Sequence, residues 1–190
     1  MTYDEIIKQA LTHLEYNTDE DSMAEFRDKF ILYANEAVRL IAEHLRLEKV
    51  DTVQLENNRF DLSDLSKPLV TKVCEVFVDK RQYPFVTDSQ LGDFVVGGVA
   101  PDATVSVRYR WMPENRTDGA DEPDIPAVFH PIIWYYVVHC HVSSHVSGMK
   151  GYNYQQWYSE FERQRKIVTR SYGAYESYKF KNLPWQTGEI

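Results

Sequence analysis

The stretch from His130 to Gly148, HPIIWYYVVHCHVSSHVSG, concentrates residue types that bind metal ions or exchange protons. It contains four histidines and one cysteine, together with three large aromatic residues. Imidazole nitrogens ligate zinc and transfer protons near neutral pH. The spacing of these residues must therefore decide between a metal site, a catalytic centre and a packing surface.

Helical spacing divides the stretch into separate faces. At about 100° per residue, His130, Trp134, His141 and His145 share one stripe, whereas His139 lies on the opposite side. The cysteine between His139 and His141 falls on a third side. The compact HCH triplet is therefore split by the geometry of a helix.

His141 and His145 stand one turn apart, as the two histidines of an HExxH zinc motif do. The residues between them are Val142, Ser143 and Ser144, so no glutamate is placed as a general base, and no third ligand is evident. A small metal-dependent hydrolase that uses His141 and His145 stays the alternative. The other faces of the helix are largely apolar, which favours burial on more than one side. We therefore predict that His130, Trp134, His141 and His145 line a contact with a neighbouring subunit.

No other motif predicts catalysis. GDFVVGG lacks the GxxxxGK[ST] spacing of a phosphate loop, and neither GxSxG nor CxxC occurs. Asp121, Glu122 and Asp124 lie in an acidic loop without the regular alternation of an EF-hand. The sequence therefore predicts no catalytic residue, no metal site and no cofactor.

Composition limits the partners. The chain has 190 residues, of which 43% are hydrophobic, and a formal net charge of −8. An acidic chain is unsuited to covering the phosphate backbone with a broad basic face. The first residues lack the basic and apolar regions of a signal peptide, and no apolar run could span a membrane. Two cysteines are too few for a disulfide framework, so we expect a reducing compartment.

The hydrophobic period predicts an α+β fold: a bundle of two N-terminal and two C-terminal helices, with a small antiparallel β-sheet inserted between the pairs. Within the sheet, VDTVQLENNRFDLSD alternates as a hairpin would, with its turn at Asn57 and Asn58. Residues 1–173 are expected to form a single domain, and residues 174–190 an extended or disordered arm. The predicted elements are helices over 2–15, 22–46, 127–147 and 153–172 and a sheet over about 49–112.

The C-terminal end differs in charge from the rest of the chain. Residues 163 to 181 include six basic residues and the single acid Glu176. Aromatic residues alternate with these charges, and such residues anchor protein interfaces. A salt-sensitive nucleic-acid contact through this basic tail stays a further alternative.

In order, these elements resemble the head-to-tail connector, or adaptor, proteins of tailed bacteriophages. The resemblance rests on FILYANEAVRLIAEHL, on a sheet that ends in VRYRWMPE, on the loop DGADEPDIP, on HPIIWYYVVHCHVSS and on the last helix YNYQQWYSEFERQRKIV. It extends from about Thr2 to Tyr172.

The resemblance implies a structural virion protein without catalysis, made in the cytoplasm of a bacterial host. In that family about twelve copies form a ring beneath the portal, with the tail or neck proteins beyond and DNA passing through the lumen. It also implies that the loop from Asn115 to Asp124 faces the tail side or a neighbouring subunit, and that a C-terminal arm docks on the portal protein. The residues predicted to dock are Tyr172, Tyr175, Tyr178, Lys179, Phe180, Lys181 and Trp185.

Overall fold

A computed structural model describes residues 1–88, 93–144 and 154–181, with backbone only for 174–181. The chain divides into two compact units: a helical unit of Met1–Ile41 with Asn115–Ile190, and a sheet unit of Ala42–Glu114. Compact units within one chain are not necessarily independent domains. The expectation of a single domain over 1–173 therefore stays a prediction.

The helical unit contains four α-helices, counted over the described residues. Helix α1 spans Tyr3–His13, and α2 spans Glu20–Leu45, whose last turn belongs to the sheet unit. Helix α3 spans Ile133–Ser144 after a 3-10 helix over Ala127–Ile132, and α4 spans Tyr154–Lys181. The α+β fold predicted from the sequence is confirmed.

Helix α1 begins with all its free backbone donors satisfied. A capping box joins Thr2 and Glu5, each side chain accepting from the other residue's backbone N–H. The backbone N–H groups of Tyr3 and Asp4 donate to carbonyls in the acidic loop of residues 115–124. Asp4 also pairs with Arg27 of α2 at 2.9 Å. The acidic loop is therefore part of the packing around α1.

The helix predicted over 127–147 differs from the observed element. Residues Ala127–Ile132 form a 3-10 helix that contains Pro131, and the α-helix begins only at Ile133. A proline has no backbone N–H to donate, so it belongs at the start of a helix and not inside one. A 3-10 turn advances about 120° per residue, so the single stripe predicted from His130 does not continue into α3.

Helix α4 also differs from its prediction, because it runs through Gly173 to Lys181 instead of ending near residue 172. The first eight residues of the predicted arm, 174–181, are therefore helical. A glycine inside a helix costs only about 1 kcal/mol relative to alanine, which the helix tolerates at this position. Residues 182–190 lie outside the described residues.

The sheet unit contains seven strands, counted over the described residues, in two antiparallel sheets. The first sheet has the order β1-β7-β3-β4 and the second the order β2-β6-β5. Along β7, every second side chain from Val105 to Trp111 is buried, which gives the sheet one core face. The strands are β1 Glu48–Gln54, β2 Arg59–Phe60, β3 Val70–Val78, β4 Arg81–Tyr83, β5 Phe85–Thr87, β6 Phe94–Val96 and β7 Thr104–Trp111.

The predicted hairpin between β1 and β2 is wrong in its pairing, although its turn is present. Asn57 and Asn58 both have positive φ, 53° and 65°, and an isolated bridge joins Glu56 to Arg59. Strand β1 pairs instead with β7, and β2 pairs with β6. Strand β7 offers β1 a partner along its whole length, whereas β2 has only two residues. The two asparagines thus pass the chain from one sheet to the other.

Candidate functional site

The histidines of α3 and the preceding 3-10 helix occupy separate internal environments. His130 is buried, and its Nε2 lies 3.0 Å from the carbonyl oxygen of Ile125. Since a carbonyl only accepts, this Nε2 carries the hydrogen. The ring therefore serves as a hydrogen-bond donor within the helical unit.

Trp134 and His141 are likewise enclosed by the chain itself. The indole of Trp134 stacks on His13 of α1, with ring centroids 3.9 Å apart and an interplanar angle of 2°. His141 is 1% exposed, with the hydroxyl of Tyr16 at 3.3 Å from its Nε2 and the rings of Phe26 and Phe30 in edge contact. Both side chains thus fill the space between α3 and the first two helices.

These positions leave little surface for the predicted subunit contact, which stays a prediction. His130, Trp134 and His141 have relative exposures of 2%, 8% and 1%, so they present almost no surface to another protein. Their neighbours are residues of the same chain. His145, the fourth member of the predicted stripe, lies outside the described residues.

His139 lies on the other side of α3, as helical spacing predicts. Its Nδ1 is 2.8 Å from the backbone oxygen of Tyr154, and its ring is 5.1 Å from that of Tyr158. His139 therefore contacts α4, whereas His141 contacts α2. Among the described residues, no group of three or more His, Cys, Asp or Glu side chains is placed to hold a metal ion.

Cys140 is surrounded by groups that keep its thiol protonated. Burial raises the pKa of the Cys140 thiol to about 11; a hydrogen bond with Tyr136 opposes that rise, and the charge of Glu36 adds to it. Burial likewise raises the pKa of the Tyr136 hydroxyl above its ordinary value. A protonated thiol is a poor nucleophile. This cluster therefore contributes packing and hydrogen bonding between α2 and α3.

The predicted docking residues are only partly described. Tyr172 packs edge-on against Phe129, with ring centroids 5.7 Å apart. The backbones of Tyr175, Tyr178 and Lys181 continue along α4, as do those of Lys179 and Phe180 between them, but their side chains are not described. Trp185 lies outside the described residues.

Three basic side chains of α4 lie on the face away from α3. Phe161 is fully buried against Tyr136, whereas Arg163, Lys166 and Arg170 are exposed. Arg163 pairs with Glu160 within the helix. The outer face of α4 is therefore basic between Arg163 and Arg170.

Sequence reasoning missed a polar network in the sheet unit. The hydroxyl of Tyr109 donates to Asp51 at 2.6 Å, and Ser66 donates to the same oxygen from both its backbone N–H and its hydroxyl. Burial works against ionisation of Asp51, but these hydrogen bonds and the charge of Lys49 prevail and lower the pKa of Asp51 to about 2. The signal in the sequence was a tyrosine at a buried position of β7, since a buried hydroxyl needs a partner.

This arrangement defines a class: an α+β protein in which His130 and His141 serve packing and the last described helix carries exposed basic side chains. Across the described residues, no helix is both long and apolar enough to cross a membrane. Residues 1–178 match the family described as SU10 adaptor protein. The chain therefore belongs to the SU10 adaptor protein family, a family of bacteriophage head-to-tail adaptors, and is a structural component of the virion. No curated protein matches the chain.

Proposed function

We propose that the chain is one subunit of a ring of about twelve copies, which joins the portal to the tail or neck proteins and acts without catalysis. The observation that carries this proposal is the family match over residues 1–178, which includes most of α4. Membership of a head-to-tail adaptor family implies contacts with capsid and tail proteins. The portal as partner, the ring and its copy number are the parts that we propose.

Docking on the portal is assigned to the C-terminal segment, residues 172–190. In this segment, α4 continues to Lys181 as a single helix with two lysines and three aromatic residues after Gly173. Aromatic side chains bury a large area at low entropy cost, and lysines add electrostatic steering. Many weak contacts around a ring add up through multivalency. A helix that carries such residues suits repeated docking on a symmetric partner.

The overall charge agrees with a ring through which DNA moves. The chain carries a formal net charge of −8. A negative protein field repels the phosphate backbone and disfavours retention of DNA in the lumen. We assign the protein to the neck of the virion, with synthesis in the cytoplasm of the bacterial host.

Deletion of residues 174–190 tests the docking role. We expect the truncated chain to bind the cognate portal ring at least about tenfold more weakly than the full chain, as measured by surface plasmon resonance. Circular dichroism and thermal unfolding check that the remaining protein is folded. Undiminished portal binding by the folded, truncated chain would contradict the proposal.

A full-length variant with Tyr175→Ala, Tyr178→Ala and Phe180→Ala separates the aromatic contacts from the length of the helix. We expect it to lose most of the portal affinity that the deletion loses, because the large aromatic side chains bury most of the area. The matched control is Leu69→Ala with Val86→Ala, which removes exposed apolar side chains from the sheet unit. Equal loss by the control would show that the effect is not specific to the C-terminal segment.

A further inference from the structure

A basic stripe runs along the outer face of α4. At about 100° per residue, Arg163, Lys166, Ile167 and Arg170 lie within roughly 100° of one another, on the side opposite the buried Phe161. All four are exposed, and Ile167 is 46% exposed. Within the part of the chain that the structure describes, neither Lys166 nor Arg170 forms an ion pair. This stripe, defined by these four residues, combines positive charge with an uncovered apolar side chain.

An acidic stripe of matching design runs along α2. Asp21, Glu25, Asp28 and Leu32 lie within about 60° of one another, on the side away from the core residue Phe30. All four are exposed, and Leu32 is 62% exposed. The three carboxylates form no ion pair with any residue that the structure describes. The acidic stripe, defined by these four residues, therefore mirrors the basic stripe in charge and in its single apolar side chain.

A shallow cavity lies beside the apolar end of the acidic stripe. It has a volume of about 260 Å³, and its lining includes Leu32, Tyr33 and Arg39. An aliphatic side chain that approached Leu32 would thus have apolar surface and free volume around it. Ile167 is a side chain of this kind at the centre of the basic stripe.

The two stripes lie on different sides of α3. Helix α4 covers the side that carries His139, which contacts Tyr154. The N-terminal half of α2 covers the side that carries His141, whose ring meets those of Phe26 and Phe30. His139 and His141 are two positions apart and therefore differ by about 200° around the helix axis, so these two sides of α3 are nearly opposite. Since each stripe also faces away from α3, one chain cannot pair its own two stripes.

We infer that the basic stripe of one copy docks on the acidic stripe of the next copy, with Ile167 against Leu32. This inference rests on the proposed function, because a ring requires a heterologous contact that repeats from copy to copy. Complementary charge fixes the register of the two helices, and contact between the two apolar side chains removes both from water. The occupant of the basic stripe is thus a second copy of this chain.

Charge reversal in the full-length protein tests the contact. One variant carries Lys166→Glu with Arg170→Glu, and the other carries Asp21→Lys with Glu25→Lys. Each leaves both stripes with the same sign, so we expect self-association at low ionic strength to weaken by about tenfold or more. An equimolar mixture of the two variants restores opposite signs across every contact and should recover association. Sedimentation velocity measures the self-association of each variant and of the mixture, both without and with portal rings.

The matched control is Lys72→Glu with Lys80→Glu, which makes the same charge change at exposed positions of the sheet unit. It should associate as the unaltered chain does. Assembly of Lys166→Glu with Arg170→Glu as strongly as the unaltered chain, or failure of the mixture to recover, would overturn this inference and leave the proposed ring in place. Absence of association by the unaltered chain, alone and on portal rings, would contradict both.

A different role for the basic stripe would give a different pattern. If Lys166→Glu with Arg170→Glu abolished binding to a duplex DNA probe and left self-association unchanged, the stripe would serve nucleic acid, and the inference would be overturned. Measurement of DNA binding at two salt concentrations completes the test, because phosphate contacts weaken steeply with salt.

Discussion

The helical unit and the sheet unit bury their polar groups in different ways. In the helical unit, His130 and His141 are almost fully enclosed: His130 contacts the carbonyl oxygen of Ile125 and the amino group of Met1, and His141 lies among aromatic rings with the hydroxyl of Tyr16 near its Nε2. In the sheet unit, Asp51 accepts several hydrogen bonds at once from Ser66 and Tyr109. The helical unit, whose histidines suggested catalysis, thus uses them for packing. The sheet unit, which has no such pattern, contains the carboxylate of Asp51, whose pKa is strongly lowered.

This contrast limits how far residue type alone indicates function. An imidazole packed between aromatic rings stabilises the fold through its contact area and its shape complementarity with those rings. A carboxylate that accepts several hydrogen bonds stabilises the fold through those charge-assisted bonds. Its lowered pKa reflects the same stabilisation of the ionised form. The lowered pKa of Asp51 therefore accompanies the hydrogen bonds that join β1 to the segment containing Ser66.

The largest expected effect concerns packing in the helical unit. His141→Ala removes a ring that contacts Tyr16, Phe26 and Phe30, so we expect a loss of about 2–4 kcal/mol in the free energy of unfolding. Urea denaturation followed by fluorescence measures it. The matched control is His44→Ala at an exposed position of α2, which should change stability by less than about 0.5 kcal/mol. Zinc bound by the unaltered protein and lost from His141→Ala would instead support the hydrolase alternative.

A smaller effect, with a distinctive pH dependence, is expected in the sheet unit. Asp51→Asn weakens the hydrogen bonds from Tyr109 and Ser66, and we expect a loss of about 1–2 kcal/mol at pH 7. The pKa of Asp51 is lowered to about 2 in the folded chain, from its ordinary value of 3.8. Its stabilising contribution is therefore present above about pH 4 and disappears as the pH falls towards 2.

Denaturation curves of Asp51→Asn and of the unaltered chain, recorded between pH 7 and pH 2, measure this difference. The two should converge as the solution becomes acidic. Asp102→Asn, at an exposed position, is the matched control and should follow the unaltered chain throughout. A constant difference between Asp51→Asn and the unaltered chain across the whole range would show that the ionised carboxylate is not the source of the stability.

The smallest effect concerns the continuation of α4. Apart from the helix's own backbone and the two neighbouring residues, no heavy atom of the described residues lies within 4 Å of a Cβ placed on Gly173, so Gly173→Ala should stabilise the helix by about 0.5–1 kcal/mol and raise its helical circular dichroism. Gly98→Ala is the contrasting control, because Gly98 has a φ of +79° and alanine is strained there. A loss of helical signal in Gly173→Ala would contradict a helix that is continuous to Lys181.

The sequence predicts elements well where one local pattern dominates. The apolar spacing of α2 predicted a helix over 22–46, and the observed helix is Glu20–Leu45. Helical spacing also predicted that His139 and His141 face different neighbours. Both results depend only on the period of the helix, which tertiary contacts do not change.

The sequence predicts less where distant segments compete. Alternation could locate β1 and the Asn57–Asn58 turn, but the preference of β1 for β7 depends on strand lengths across the whole unit. The environment of His141 depends on how α1 and α2 lie against α3. The network at Asp51 joins residues far apart in sequence, so the buried position of Tyr109 indicates that its hydroxyl needs a partner but does not identify Asp51 and Ser66.

The start of α1 has a consequence for the order of folding during synthesis. Two backbone donors of its first turn, on Tyr3 and Asp4, bond to Asp121 and Gly119, which the ribosome adds only after the entire sheet unit. Unaided by these bonds, a helix as short as α1 is marginal in water. The N-terminal residues, which leave the ribosome first, thus form these hydrogen bonds only after a loop made late in translation is available. The helical unit therefore completes its folding only after the sheet strands between its two halves have been synthesised.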